Sequence, residues 1–344
     1  MSRRKVTKSS CVKIGVAAAL VLLAFFGYKW LESNRIGAFE ESGEVYVHPG
    51  DSLETVLAQL PECRFSRMSL KNALEGERVA ERLKPGHYTV TEKTTLVALA
   101  RMLANGWQTP VNVTLSGSLR SYGEIASRLS AQLMVSREEV LEAFSDSELL
   151  ARYGFTPGTA FALIIPDTYS MWWTSSVEDI FSKMKSAYGA FWTSQRIARA
   201  KQLHLSPMQV SIVASIVRSE SNCEAEYPKI AGVYLNRLRS GQRLQADPTV
   251  AFIYDYKLDR VLKRHLQTES PYNTYRHKGL PPGPICSPSK AALEAVLAAD
   301  TASGNMFFCA SPDLDGTHVF CRTYEEHLRN ARAFQKALDA RSKN

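Results

Sequence analysis

The chain contains no C-x-x-C pair and no closely spaced pair of histidines, so none of the ligand spacings that mark a structural zinc site is present. No motif implies another metal or a cofactor. There is also no low-complexity tract and no short-period repeat, which argues against a solenoid or an extended linker protein. Acidic residues are missing from the head of the chain, where Arg3, Arg4, Lys5, Lys8 and Lys13 gather. These five account for most of the formal net charge of +8 and leave +3 for everything else, an ordinary surface balance. With no basic stripe interleaved with aromatic residues, nucleic-acid binding has no support.

What is present is enough apolar material for a real core: 45% hydrophobic residues in 344, sufficient for two folded units and appendages. The basic head, residues 1–13, runs into "IGVAAALVLLAFFGY", residues 14–28, which carries no charge. Fifteen residues is short for a spanning helix and close to the core of a signal peptide. Three features favour an uncleaved anchor over residues 14–30. Val12 and the stem of Lys13 extend the apolar length, because a lysine near a helix end can snorkel. Trp30 sits at the far boundary, where interfacial aromatics are common. No small-x-small cleavage site follows, and Cys11 precedes the run and is therefore no lipoprotein cysteine. The positive-inside rule then expects a cytoplasmic N-terminus and places the rest of the chain beyond the membrane. Five cysteines, Cys63, Cys223, Cys286, Cys309 and Cys321, would lie there. An odd number leaves at least one unpaired within the chain, and buried thiols are as good a reading as disulfides. Cys309 and Cys321 flank a predicted hairpin and are the candidate neighbours.

A first folded unit is expected over residues 43–110. "EVYVHPGDSLETVLAQL" predicts an alternating strand, a turn at Pro49 and Gly50, and a helix capped by Asp51 or Ser52. A helix around "SLKNALEG", a strand in "LKPGHYTV" and a helix "TTLVALARMLANG" ended by Gly106 complete a small α+β module. The strand with "PGDSL" resembles a LysM domain, a peptidoglycan-binding module, although the same residues also make an ordinary strand-turn-helix junction. Residues 111–344 read as mainly helical after a mixed start with a strand "VNVTL". One long amphipathic helix is predicted over residues 176–203, then helices in "SPMQVSIVASIVRSES" and "YPKIAGVYLNRLRSG". The second of these carries an apolar stripe of Ile230, Val233, Tyr234 and Leu238 and stops at Gly241. A loop of about forty residues follows, rich in aromatic and polar side chains; structureless loops of that length are usually functional or disordered. A short helix "SPSKAALEAVLAA", a hairpin "MFFCASPDLDGTHVFCR" and a closing helix end the chain.

The chemistry concentrates in "ASIVRSESN", residues 214–222. Ser206 opens a capping box with Pro207 at the first helical position and Gln209 two residues on, which sets the helical register. In that register Ile212, Val213, Ile216 and Val217 form the inward stripe, and Glu220 continues it. Arg218 points elsewhere and is not its close partner. A carboxyl group at the inner end of an apolar stripe is desolvated, and desolvation raises its pKa, the condition for delivering a proton near neutral pH. From this helix alone, a Glu at a helix end that is merely solvated or bonded to a neighbouring backbone NH is the favoured reading. Glu224 and Glu226 read as surface residues.

The motifs "IPDTY", "ASIVRSES", "LQADPTV", "SPYNTYRHKGLPPGPI" and "DGTHVF" together resemble the YceG-like endolytic murein transglycosylase family, known as MltG, over residues 110–335. The resemblance implies an α+β fold with an N-terminal membrane anchor, a small LysM-like module and a helix-rich catalytic domain with a lysozyme-like glutamate. It places the catalytic acid at Glu220 and makes Ser221, Asn236, Gln245, Asp247, Tyr272, Asn273 and Tyr275 candidates for lining the sugar cleft. Amides and phenols suit sugar hydroxyls and acetamido groups, and aromatic rings pack on pyranose faces; each residue alone fits a loop-bracing role as well. His318 reads as holding the hairpin against the site, and Pro281, Pro282 and Gly283 as shaping the loop. The chain departs from the family in Arg218, where an acidic residue is common, in Ser221, where Thr is common, and in Cys223 and Cys286, which stand where other small residues are expected.

The implied activity is endolytic cleavage of the MurNAc-GlcNAc bond with formation of 1,6-anhydroMurNAc ends, on nascent strands, without cofactor or metal. The implied partners are peptidoglycan glycan strands, the inner membrane and the cell-wall synthesis machinery, with the catalytic domain in the periplasm. Two alternatives stand beside it: a muramidase that uses water, with Asp247 or Glu224 as base, and a membrane-tethered peptidoglycan-binding scaffold without catalysis.

Overall fold

The computed structural model describes residues 8–341. Arg3, Arg4 and Lys5 of the basic head lie outside the described residues. The apolar run belongs to α1 (Lys8–Asn34). Its stretch Gly15–Asn34 is long and apolar enough to cross a membrane. Leu20, Val21, Leu23 and Phe26 all stand exposed on it. An apolar helix whose run of large side chains stands exposed fits a single-pass membrane anchor, and its end is tied to the first unit through Lys29 and the buried Glu32.

Beyond this helix the chain divides into two compact units. One runs to Val111 and takes in Trp172–Thr174; the other holds Asn112–Met171 and continues from Ser175. The first is built on β1 (Gly43–Val47) and β2 (Gly86–Val90), antiparallel with Val45 opposite Tyr88. Between them lie α2 (Leu53–Leu57), α3 (Arg67–Gly76) and α4 (Val79–Arg82), and α5 (Leu96–Asn105) follows. Of the two candidate caps on α2, Ser52 does the capping, its side chain accepting from the Thr55 amide. Asp51 instead accepts from the His48 amide and closes the turn. The alternation along β1 buries Val45 and Val47 against Tyr88, Leu96, Leu99 and Leu103. Gly106, with φ +70°, ends α5 in the left-handed conformation that glycine adopts at low cost.

The second unit opens with β3 (Val111–Leu115), which pairs with β4 (Asp167–Met171), a strand that begins within the "IPDTY" motif and runs two residues past it. Helices α6 (Tyr122–Ser130), α7 (Arg137–Ser145) and α8 (Ser147–Arg152) lie between them. The expected single helix over residues 176–203 is two: α9 (Val177–Phe191) and α10 (Ser194–Gln202). Trp192 leaves the helical region and the Thr193 side chain accepts from the Arg196 amide, so a second N-cap interrupts an amphipathic pattern that periodicity alone reads as continuous.

Helices α11 (Pro207–Glu220) and α12 (Tyr227–Arg239) follow. The expected structureless loop contains α13 (Asp247–Ile253), started by Pro248. Then come α14 (Lys290–Leu297), the antiparallel hairpin of β5 (Phe307–Ala310) and β6 (His318–Cys321), and α15 (Tyr324–Arg341). In the hairpin Cys309 pairs with Val319 and Cys321 with Phe307, and Cys63, Cys223, Cys286, Cys309 and Cys321 are all free thiols.

The core of this unit lies where α11 meets α12 and α14, with Val213, Ile216, Val217, Ile230, Tyr234, Leu293 and Val296 all buried. The loop after Tyr272 is seated against residues 158–164. A methyl group on Gly283 would sit 1.9 Å from the Gly158 carbonyl oxygen, a contact that rigid backbone on both sides cannot relieve. Gly283→Ala is therefore expected to lower unfolding free energy by about 2 kcal/mol, read as a fall in melting temperature of the full chain in detergent.

Candidate active site

The capping box at the start of α11 forms as the spacing predicts: the Ser206 side chain accepts from the Gln209 amide, and Gln209 returns a bond to the Ser206 amide. With the register set, Ile212, Val213, Ile216 and Val217 are buried and Glu220 closes the helix at the end of that stripe. Ser215, fully buried one turn earlier, accepts from the Ile285 amide at 3.0 Å, and the Cys286 thiol donates to the Ser215 carbonyl. These bonds clamp the proline-rich loop to α11. Burial pushes the Cys286 thiol up to about 11, which keeps it protonated and suited to that donor role.

The Glu220 carboxyl accepts a hydrogen bond on Oε1 from the hydroxyl of Tyr234, a residue of α12 that is itself buried. Its pKa is raised to about 7. Desolvation is the main cause; the Tyr234 hydrogen bond opposes it, the Asp247 carboxylate adds to it, and the Arg237 guanidinium opposes it. Arg237 is buried one turn along α12 from Tyr234, donating to the Met306 carbonyl at 2.7 Å and to the Leu244 carbonyl at 2.5 Å. Asp247, exposed at the start of α13, accepts from the Tyr275 hydroxyl at 2.6 Å. The cluster is thus one desolvated carboxyl, a second exposed carboxylate, two phenols and a buried cation.

Of the residues the sequence singles out, the structure joins Glu220, Asp247 and Tyr275 electrostatically. Gln245 is exposed beside them with its backbone in the left-handed region, φ +52°, its amide donating to the Thr274 carbonyl. Tyr272 is half-buried, packed on Phe252 with ring centres 4.7 Å apart. Asn273 is not brought to the surface. It is completely buried, donating to the Leu266 and Thr268 carbonyls and accepting from the Tyr275 amide, so its amide is consumed in bracing the loop. Asn236 donates to the Asn305 carbonyl and tethers the approach to β5. Ser221 is buried and accepts from the Cys223 amide, shaping the turn that follows the acid. Arg218 reaches Asn222 and Tyr227, away from the Glu220 carboxyl.

Glu224 is exposed as expected, but Glu226 is not a surface residue. Its carboxylate accepts from both the His318 amide at 2.7 Å and the His318 ring at 2.8 Å, and so draws it inward to pin the β5–β6 hairpin. His318 therefore holds the hairpin, as its position suggested. Tyr234 and Arg237 were missed as members of the cluster. The signal was available in Tyr234, since a phenol in an apolar stripe needs a partner for its hydroxyl.

The fold and this cluster define an α+β chain whose helical unit presents, among the described residues, one carboxyl of raised pKa beside an aromatic and amide-bearing loop. Residues 45–333 match the family model of the YceG-like family, and the chain belongs to that family. It is 27% identical over 273 residues to the endolytic murein transglycosylase of Bacillus subtilis (strain 168), a match spanning 72% of each chain. It is 24% identical over 367 residues to the endolytic murein transglycosylase of Streptococcus pneumoniae serotype 2 (strain D39 / NCTC 7466), covering 93% of this chain and 65% of that one. The crystal structure of a yceG-like protein from Listeria monocytogenes shares the fold, with a TM-score of 0.56 at 24% identity over 84% of this chain and 99% of that one.

Two outcomes follow from the cluster. Glu226→Ala removes the buried acceptor of the partly buried His318 amide and ring and is expected to cost about 1–2 kcal/mol of stability, measured by denaturant unfolding. The folded state also holds a proton on Glu220 that the unfolded chain releases near the ordinary value of 4.5. Stability is therefore lost as pH rises between about 4.5 and about 7. Glu220→Gln should remove that loss, which thermal melts of the two proteins across this range will show.

Proposed function

We propose that the chain is a membrane-anchored endolytic peptidoglycan lytic transglycosylase, cleaving the MurNAc-GlcNAc bond to leave 1,6-anhydroMurNAc ends. The observation that carries this reading is the Glu220 carboxyl, desolvated at the end of an apolar helix and poised to hold a proton near pH 7. Membership of the YceG-like family and the names of the Bacillus and Streptococcus relatives support the substrate class.

In the first step Glu220 gives its proton to the glycosidic oxygen while the C1–O bond breaks and an oxocarbenium-like centre develops on the muramic ring. Asp247, exposed and coupled electrostatically to the acid, is the candidate carboxylate to stabilise that positive charge. In the second step the C6 hydroxyl of the same ring attacks C1, and its proton passes to the Glu220 carboxylate. The acid is regenerated, no water is consumed, and no second carboxyl need act as base or nucleophile. Tyr272, Tyr275 and Gln245 are the candidate sugar contacts. Ser221, Asn236 and Asn273 act on the substrate indirectly, by shaping the turn, the hairpin approach and the loop.

In this reading residues 1–13 are a cytoplasmic head, 14–30 the anchor, 43–110 a LysM-like module and 111–344 the catalytic domain in the periplasm. The anchor keeps cleavage close to the inner membrane, where nascent strands and the synthesis machinery lie. Hydrolysis is the second reading, because Asp247 is exposed and, among the described residues, its bond from Tyr275 occupies only one of its oxygens, leaving the other to direct a water molecule.

The test is mass spectrometry of the products formed from purified peptidoglycan by the full chain in detergent, beside Glu220→Gln. Anhydro-muropeptides from the parent and none from the variant are expected; reducing-end products would transfer the reaction to hydrolysis, and binding without cleavage would make the chain a scaffold. Because the protonated acid is the active form, kcat/KM should fall as pH rises through about 7.

A further inference from the structure

We infer that Tyr234 is the positioning residue of the acid: its hydroxyl holds Oε1 of Glu220, so that the proton delivered to substrate sits on Oε2, and the β5–β6 hairpin keeps the tyrosine in place. The inference rests on the reading of Glu220 as the general acid. Nothing in the family resemblance singles out this residue.

The donor and acceptor roles follow from the surroundings. Burial raises the Tyr234 phenol above its ordinary range, so the hydroxyl keeps its hydrogen and Oε1 is its acceptor. A carboxyl group whose Oε1 already accepts a hydrogen bond carries its own proton on the other oxygen. The ring packs against Phe308, whose centre lies 6.0 Å away at a right angle. One turn along the same face of α12, Arg237 bonds the Met306 carbonyl and lies over the Phe307 ring at 5.3 Å. Three consecutive residues, Met306, Phe307 and Phe308, thus back both side chains that reach toward the acid.

The charged and titratable groups facing Glu220 are Tyr234 and Arg237 from α12, Asp247 from α13 and Tyr275 from the loop. Tyr275 spends its hydroxyl on Asp247. That leaves Tyr234 as the hydrogen-bond donor to the carboxyl among the described residues.

The test compares pH profiles of kcat/KM for cleavage of soluble glycan oligomers by the full chain in detergent. Tyr234→Phe keeps the ring packing and removes only the donor, so the carboxylate loses a stabilising bond. The alkaline limb should move up by about one pH unit, with kcat reduced roughly tenfold to a hundredfold. Replacing Tyr234 by 3-fluorotyrosine, a stronger donor of nearly the same shape, should move the limb down with turnover retained.

A role confined to packing predicts an unmoved limb in both variants. A tyrosine that accepts rather than donates predicts a downward limb in Tyr234→Phe. Either result overturns the inference. If circular dichroism shows Tyr234→Phe unfolded, the direction of the fluorotyrosine shift decides alone. Cleavage by Glu220→Gln would overturn the acid itself. An inactive Glu220→Gln with an unmoved Tyr234→Phe limb would overturn only the role of the tyrosine.

Discussion

A carboxyl group can be carried into the end of an apolar helix only if something replaces part of the water it gives up. In this chain that something is the Tyr234 hydroxyl, brought across from α12 by the packing of two apolar stripes. The balance is deliberately incomplete in chemical terms. One neutral hydrogen bond and a buried guanidinium offset the desolvation in part, and Asp247 works against them. An ion pair made directly on the carboxyl would drive its pKa down and leave a permanent anion. Salt bridges in this molecule lie elsewhere, as in Arg196 with Glu294 and Lys290 with Asp167. The proposed acid has none among the described residues.

The path from sequence to this arrangement was short for α11 and longer for its surroundings. Ser206, Pro207 and Gln209 set the register of the helix by local hydrogen bonding alone, and with it the facing of Glu220. Local signals of the same kind placed the helices beginning at Leu53 and Leu96 and the turn at Gly106. They failed where two local preferences competed. Thr193 is an ordinary residue inside an amphipathic run until its side chain turns back to the Arg196 amide, and only the structure shows that it does. The strand over residues 167–171 went unseen because five residues paired with a distant segment leave no periodicity to read.

The site divides along the same line. Glu220 was readable because its anomaly is intrinsic to one helix. The loop residues were readable only by resemblance, and resemblance does not separate a side chain facing a ligand from one bracing the loop. Asn273, Tyr275 and Asp247 stand close together in space, yet the first is enclosed by backbone carbonyls, the second is half-buried and only the third is exposed. Glu226 misled for the opposite reason. Its partner is 92 residues away, so nothing near it in sequence announced that it would be buried.

The distance along the chain between the acid and its supports has a consequence in time. A chain made from its N-terminus completes the helix bearing Glu220 well before residues 306–308 exist. Until those residues arrive and His318 meets Glu226, neither Tyr234 nor Arg237 has its backing. Segments synthesised about ninety residues later complete the surroundings of a helix made before them. The proposed acid of a wall-cutting chain thus gains its final surroundings only after the hairpin has been added to the chain.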